Sequence, residues 1–540
     1  MKINRRDFLS HSLKMLGLMG ISSVVSENFM RNLVNQAYAG SILDDPDILN
    51  SYKYVHITMG GAPPRWYFDL PLTPTGQSSS NFIAGGFGNS YQISGSNVSV
   101  VHSTWRHAAS GLHLPPVWGM NVSGHNFSDL LQYTGFIRGI DNEIDSHPLS
   151  NARQVSPVIG GYSLSGVNAD ERKNPIAAVN LNGNSAGNAF KSKKNLTATA
   201  LGISSNPITA LLDPFRVKAA SSLHSGNTEA LVSQVIRKID EESSALRVTK
   251  SSLRESHENA KSLIIAGAQT LADKYPTALA KYTTIVNSAV QPSKGSLPGI
   301  FDKAIPGSAT DLRFRFGNAT TFASIADLRD GITSATTVAN MAAQFAVMEI
   351  LLTTGLTSTV VTNMPGISRF KFTSSATSGT ITHDQHEYGN VVQTIINTLY
   401  YRAMLGCLHE LTRTLNINRM MDKTLIHIAT EFNRAPRTNG SGADHGVSGS
   451  NTTLISGMIK GPFVIGNIKR NSGSSNYAGT WGVAAPFQLD AEVRPIKVND
   501  IARTISSMLR TNDVVTNGFS LLNPADTIRW EPKVKKADNV

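Results

Sequence analysis

Two neighbouring segments limit this fold most. EYGNVVQTIINTLYYRAMLGCLHELTRTL carries apolar residues every three or four positions, and a few residues later comes the short β-rich run TLIHIATEF. The spacing of Val392, Ile396, Leu399, Ala403, Cys407 and Leu411 predicts one face of a long helix, and TLIHIATEF predicts a strand. The same alternation precedes them: TTVANMAAQFAVMEILLTTG reads as a helix stopped at Gly355, and LTSTVVTNM as a strand. Nearer the N-terminus, KYVHITM (Lys53 to Met59, closed by Gly60-Gly61), YTGFIRGI (Tyr133 to Ile140) and NPIAAVNL (Asn174 to Leu181) read as buried strands. Strands alternating with helices of this length predict an α/β three-layer sandwich with a mainly parallel sheet. In such sheets ligands bind beyond the carboxyl ends of the strands. The Gly60-Gly61 turn, the His383 to His386 stretch and the Asp444-His445 loop all follow strands in that way.

The pattern changes between Asn227 and Pro276. Leu231, Val232, Val235, Ile236 and Ile239 mark one helical face, and Leu253, Ala260, Leu263, Ile264, Leu271 and Ala272 mark another. Residues 226–330 therefore read as a helical insertion or cap, dividing an α/β domain into residues 40–225 and 331–540. Residues 76–100 are rich in Gly, Ser and Asn and read as loop or short edge strands. Hydrophobic residues at 40% and charged ones at 16% place the chain well inside the globular range.

Residues 1–39 have the composition of an export signal of the twin-arginine type: Arg5-Arg6 followed by Asp7-Phe8-Leu9, an apolar stretch from Leu13 to Val25, then Ala37-Tyr38-Ala39. The apolar stretch is too short, and too interrupted by Lys14, Gly17 and Gly20, to span a bilayer. The alternative is an ordinary amphipathic first helix. Cleavage after Ala39 is the simplest expectation, with retention as an anchor the other, so the chain is expected in the periplasm or outside the cell. The twin-arginine translocase is then a partner, and membrane contact is confined to this segment.

Loss of residues 1–39 removes five basic side chains (Lys2, Arg5, Arg6, Lys14, Arg31) and two acidic ones (Asp7, Glu27), leaving 44 basic against 36 acidic residues. A net charge of +8 without a basic block favours an anionic small molecule or polymer over nucleic acid. Cys407 is the only cysteine, so no intramolecular disulfide forms, and its helical spacing assigns it to the core.

The chemistry-bearing residues fall mainly in two clusters. THDQHEYG supplies His383, Asp384 and His386, and ADHG, at the end of TEFNRAPRTNGSGADHG, supplies Asp444 and His445. Carboxylate oxygen with imidazole nitrogen suits zinc, manganese or a similar divalent ion, which stabilises charge on a transferring phosphoryl or sulfuryl group. Loop polar groups bonded to one another are the plainer alternative. GNSAG (Gly183 to Gly187) fits the nucleophile-elbow pattern with Ser185 as nucleophile, although the residues after it lack helical periodicity. The surroundings of Cys407, GCLHE, do not match a formylglycine signature, and no P-loop or dinucleotide fingerprint opens a helix.

Read in order, the twin-arginine leader, the strand ending in Gly60-Gly61, GLHLPP, FIRGIDNEIDSHPLSNARQ, HDQH, TEFNRAPRTNGSGADHG and VRPIKVNDIARTISSML resemble the exported bacterial family of domain of unknown function 1501. That family's fold is similar to alkaline phosphatase and the sulfatases. The resemblance implies that Asp384 and His386 match the family's W-D-T-H motif and Asp444-His445 its D-H-G motif, all four as metal ligands. Ser146, in DSHPLSNAR, would be nucleophile or ligand. Arg434 and Arg437 would flank an anion, their forked guanidinium groups being suited to phosphate or sulfate. One departure is plain: where the family has an acidic residue in G-G-x-D-G, this chain reads GGAPPRWYFDLP, and only Asp69, folded back, could replace it.

Three readings follow. One is an exported metal-dependent hydrolase of a phosphate or sulfate ester, with Asp384, His386, Asp444 and His445 on the ion and Ser146 and Arg434 catalytic. Another is an inactive relative that binds an envelope polymer or partner. The last is a serine hydrolase through Ser185.

Overall fold

The computed structural model describes residues 46–70, 91–92, 99–100, 105–174, 176–181, 189–203, 207, 273–291, 312–317, 320–321, 338, 340–364, 366–371, 378–437, 441–469, 483–489 and 492–533. The leader, the Ser185 motif and most of the helical pattern before Pro276 lie outside the described residues.

Nine short segments pair into one sheet. They are β1 (Lys53–Thr58), β2 (Thr134–Asp141), β3 (Ala178–Leu181), β4 (Ala198–Leu201), β5 (Thr359–Asn363), β6 (Thr424–Ala429), β7 (Ser450–Ile455), β8 (Phe463–Ile465) and β9 (Ile496–Lys497). The apolar or β-branched runs of β1, β2, β3, β6 and β8 are among them. Their order is β4-β3-β5-β1-β6-β7-β2-β8, with β9 also pairing to β2. Every residue of β1 and β6 is buried, as expected of strands covered on both faces.

From β4 across to β6 all pairings are parallel, and β8 and β9 lie parallel to β2. The sheet is thus mainly parallel, as expected, but mixed: one strand, β7, runs antiparallel to both β6 and β2. The cause lies in the connection. A parallel neighbour needs a crossover, usually helical, whereas β6 reaches β7 through a two-stranded hairpin, Asn433–Pro436 with Ala443–Gly446. The chain therefore turns back on itself.

The helices that position the site are α1 (His147–Val155), α2 (Leu164–Asp170), α3 (Met341–Thr353), α4 (Asn390–Ile417) and α5 (Val498–Leu509). Adjacent residues of β2 show how the faces divide. Phe136 enters a core with residues of α3 and α4, while Ile137 enters a second core with residues of α5. Both faces of the sheet are thus covered. The helix over residues 273–290 joins the first core through Tyr282, Ile285 and Val286.

α4 is buried on nearly every side, Cys407 included. Some of its polar residues bond inward, and one pair fixes the site. Asn397 and Gln385 exchange reciprocal amide hydrogen bonds of 2.8 and 3.0 Å, and Gln393 donates to the Gln385 carbonyl at 2.8 Å. Among the described residues no helix is long and apolar enough to cross a membrane.

Candidate metal centre

The expected carboxyl-end location is where the functional side chains gather. β1 leads into Gly60-Gly61, β6 runs on into Glu431 and the hairpin, and β2 leads into Asp145 and the start of α1. The segment before α4 carries Asp384 and His386.

Backbones approach closely there, and glycine permits it. Gly61 has φ +101°, and a Cβ on it would stand 2.8 Å from the Asp384 nitrogen. A Cβ on Gly442 would overlap the His386 carbonyl oxygen at 1.7 Å. Gln385, bonded to α4, points away from its two neighbours and leaves Asp384 and His386 to face the hairpin.

All four expected ligands converge. His386 Nε2 lies 3.2 Å from Asp384 Oδ1 and 3.2 Å from His445 Nε2, and His386 Nδ1 lies 3.2 Å from Asp444 Oδ1. A third imidazole joins them: His147, His386 and His445 each offer a ligand atom within 4.8 Å of the others. His147 Nε2 is 3.8 Å from Asp384 Oδ2. The ring of Phe432, fully buried, packs against both His147 (centroids 4.9 Å apart) and His445 (4.2 Å).

Each of the three imidazoles is backed by a carboxylate on Nδ1. Glu431 Oε2 stands 3.0 Å from His147, Asp444 Oδ1 3.2 Å from His386, and Asp145 Oδ1 2.6 Å from His445. An ionised carboxylate can only accept, so each Nδ1 carries the hydrogen and each Nε2 presents a lone pair. Two such lone pairs then face one another at 3.2 Å between His386 and His445. Unless one ring takes up a proton, that contact calls for a cation, and nitrogens about 2.0–2.1 Å from one tetrahedral ion would be roughly 3.4 Å apart. The donor set therefore fits a divalent ion, with the carboxylates in the orienting position usual behind metal-bound histidine.

Asp444 stands behind His386 in this arrangement. It touches His386 from the Nδ1 side and accepts two 3.0 Å bonds from Arg437. Burial alone would raise its pKa; the Arg437 guanidinium and His386 outweigh that and hold the carboxyl below the usual range. Arg437 is thereby committed to Asp444. Glu431 is raised by burial, with Gly61 N–H bonds of 2.9 Å and His147 pulling it back.

Arg434 stands opposite His445 in the hairpin register and is fully buried. Its Nε donates to the Ala62 carbonyl at 2.9 Å, Nη2 to the Gly61 carbonyl at 2.6 Å and to Asp384 at 2.5 Å, and Nη1 reaches His386 Nε2 at 2.8 Å. The last contact uses the lone pair an ion would need, so an ion on His386 requires Nη1 to withdraw while the other bonds hold. A guanidinium in this position adds positive charge to the rim but has few N–H groups left for an outside anion.

Other expected residues fall differently. Ser146 is the N-cap of α1 and makes no side-chain capping bond; the group this segment sends into the cluster is its neighbour, His147. Asp69 does not fold back to the site. It is buried against Arg65, Asn451 and Thr453, accepting from the last two at 2.8 and 2.6 Å. His383 is buried with its ring edge-on to Tyr400 at 4.7 Å, an aromatic packing role. The sequence reading missed His147, Asp145 and Glu431 as members of the cluster. DSHP, directly after the β2 strand, was the available signal for the first two; Glu431 gave none beyond its place at a strand end.

Fold and site together define a mixed α/β protein with a three-histidine, carboxylate-backed cluster at the carboxyl edge of its parallel strands. The family model described as Protein of unknown function (DUF1501) matches residues 370–514, a stretch holding Asp384, His386, Arg434, Asp444 and His445, and supports the chain's membership of that family. No curated protein and no solved structure matches the chain.

Proposed function

We propose that this chain is an exported metal-dependent hydrolase of the alkaline phosphatase-like type, acting on a phosphate or sulfate ester. One observation carries the reading: His147, His386 and His445 each offer a ring nitrogen within 4.8 Å of the others beside Asp384, and each has a carboxylate against its Nδ1. His147, His386, His445 and Asp384 would hold the ion. Bound there, a divalent zinc- or manganese-like ion would supply Lewis acidity and positive charge for the transferring group. The residues supply the rest. Asp145, Glu431 and Asp444 fix the imidazole tautomers, Arg434 ties Asp384 to the Gly61 turn, and Ser146, beside His147, is the candidate nucleophile.

A second reading is favoured by a specific contact. With Arg434 Nη1 on His386 Nε2, no acidic residue after Gly61, and Asp69 committed to Arg65, Arg434 can serve as the resident cation of an inactive binding protein. Metal analysis of the purified chain, with assays on generic phosphate and sulfate esters, separates the two. Bound metal and hydrolysis that both disappear in His386→Ala support the enzyme. A folded chain that takes up no divalent ion at all overturns it.

A further inference from the structure

The chain between α1 and α2 displays apolar side chains at the tip of a built turn. Gly161 N–H donates to the Val158 carbonyl at 2.8 Å, with Gly160 at φ +71° inside the turn. Ser156 Oγ lies within 3.1–3.3 Å of the Val158, Gly161 and Tyr162 carbonyls, and Lys191 Nζ donates to the Gly160 carbonyl at 2.6 Å. The backbone is thus tied down, yet Val158 is 47%, Ile159 62% and Tyr162 41% exposed. Leu149, on the first turn of α1, is exposed as well, whereas the other exposed large hydrophobics among the described residues, Leu312, Ile417, Val493 and Ile528, are scattered along the chain.

Holding a valine, an isoleucine and a tyrosine in water on an ordered turn is unfavourable unless something covers them. The charge beside them indicates what. Lys191 and Lys193, both exposed, place their ammonium groups 5.8 and 5.6 Å from the Tyr162 ring centroid. An apolar tip with an aromatic collar and flanking lysines matches the layering of an anionic lipid surface, acyl chains below and phosphate groups above. A polyanion would complement the lysines but not Ile159.

We propose that the Val158–Tyr162 turn docks on anionic lipid surfaces, Ile159 entering the acyl boundary while Lys191 and Lys193 meet the headgroup phosphates. Membrane contact would then extend beyond the N-terminal segment. The turn is also tied to the metal centre: α1 begins at His147 and is nine residues long, about 13 Å.

The test measures co-sedimentation of the full chain with vesicles of phosphatidylglycerol and phosphatidylcholine, against phosphatidylcholine alone. Binding to the anionic vesicles alone is expected. Lys193→Gln should weaken it about fivefold, the factor for one lysine at an anionic surface, and Ile159→Asp about tenfold or more, as loss of a buried isoleucine implies. Because Cys407 is buried, an Ile159→Cys chain offers one reactive thiol for an environment-sensitive dye, whose emission should shift blue on the same vesicles. Equal binding to neutral vesicles, no binding, or binding unchanged in both variants overturns the proposal. So does a turn covered instead by a second copy of the chain, seen as Ile159-dependent dimerisation without lipid.

Discussion

At the residue scale, the distinction between His147 and Asp444 is the sharpest consequence of the site. If imidazole Nε2 atoms are the donors and carboxylates stand behind them, His147→Ala removes a donor while Asp444→Asn removes only support for one. Zinc titration of the purified chain should then show binding lost in His147→Ala and weakened about 10–100-fold in Asp444→Asn, the usual cost of an outer partner. Equal loss in both would return Asp444 to the donor set. Gly61 gives a second expectation. Its φ of +101° and the 2.8 Å separation from the Asp384 nitrogen leave no room for a methyl group. Gly61→Ala should cost roughly 1–3 kcal/mol in denaturant unfolding and displace Asp384 from Arg434. The readable part of the site was the pair of short motifs, because Asp384-Gln385-His386 and Asp444-His445 each hold their groups within three residues. Asp145 meets His445 across 300 residues and His147 meets Glu431 across 284, separations that no local pattern encodes.

At the scale of elements, strands and helices with continuous apolar runs were legible. β1, β5, β6 and α3 lie within the segments that periodicity marks, and α4 overruns its segment by two residues, since burial on both faces leaves little room for polar residues. The direction of β7 was not legible, because it depends on the hairpin rather than on the strand's own composition. Nor was the polar interior of the β1–β6 pair. His56 and His427 are register partners, fully buried, with Nδ1 atoms 3.1 Å apart and Tyr54 Oη 2.9 Å from His427 Nδ1. Burial pushes His56 down to about 3 and His427 well below the ordinary imidazole range. The sign follows directly. Below the unfolded pKa near 6.5 the unfolded chain takes up protons that the native strands refuse, so stability falls as pH drops from about 6.5 toward 3. Urea midpoints measured across that range should decline in the native chain, and less steeply in His56→Gln, which cannot charge.

At the scale of the molecule, the helix over residues 273–290 decides whether the segment assigned to an insertion is an appendage or part of the core. Tyr282 is fully buried against Phe345 of α3, with centroids 5.8 Å apart, and its hydroxyl donates to Glu349 at 2.6 Å. Lys281 then joins three helices at once, 2.7 Å from Glu349 on α3 and 2.9 Å from Glu410 on α4. Burial would raise Glu410; hydrogen bonds from Arg413 and Lys281 outweigh it and hold the carboxyl near 2. Lys281→Met would leave Glu349 without its cation and Glu410 with Arg413 alone. A fully buried pair broken in this way loses about 3–5 kcal/mol, but Lys281 is 31% exposed and Arg413 remains, so about 1–3 kcal/mol is the reasonable range. The pH dependence tests the cause. A carboxyl with a lowered native pKa gives its full stabilisation above the unfolded value near 4.5 and loses it as pH falls toward 2. Native and Lys281→Met chains should therefore differ most in thermal midpoint near pH 6 and converge as the solution is acidified. A difference that stays constant down to low pH would mean that the methionine harms packing rather than charge, and the helix would then be bound to α3 and α4 by its apolar face alone.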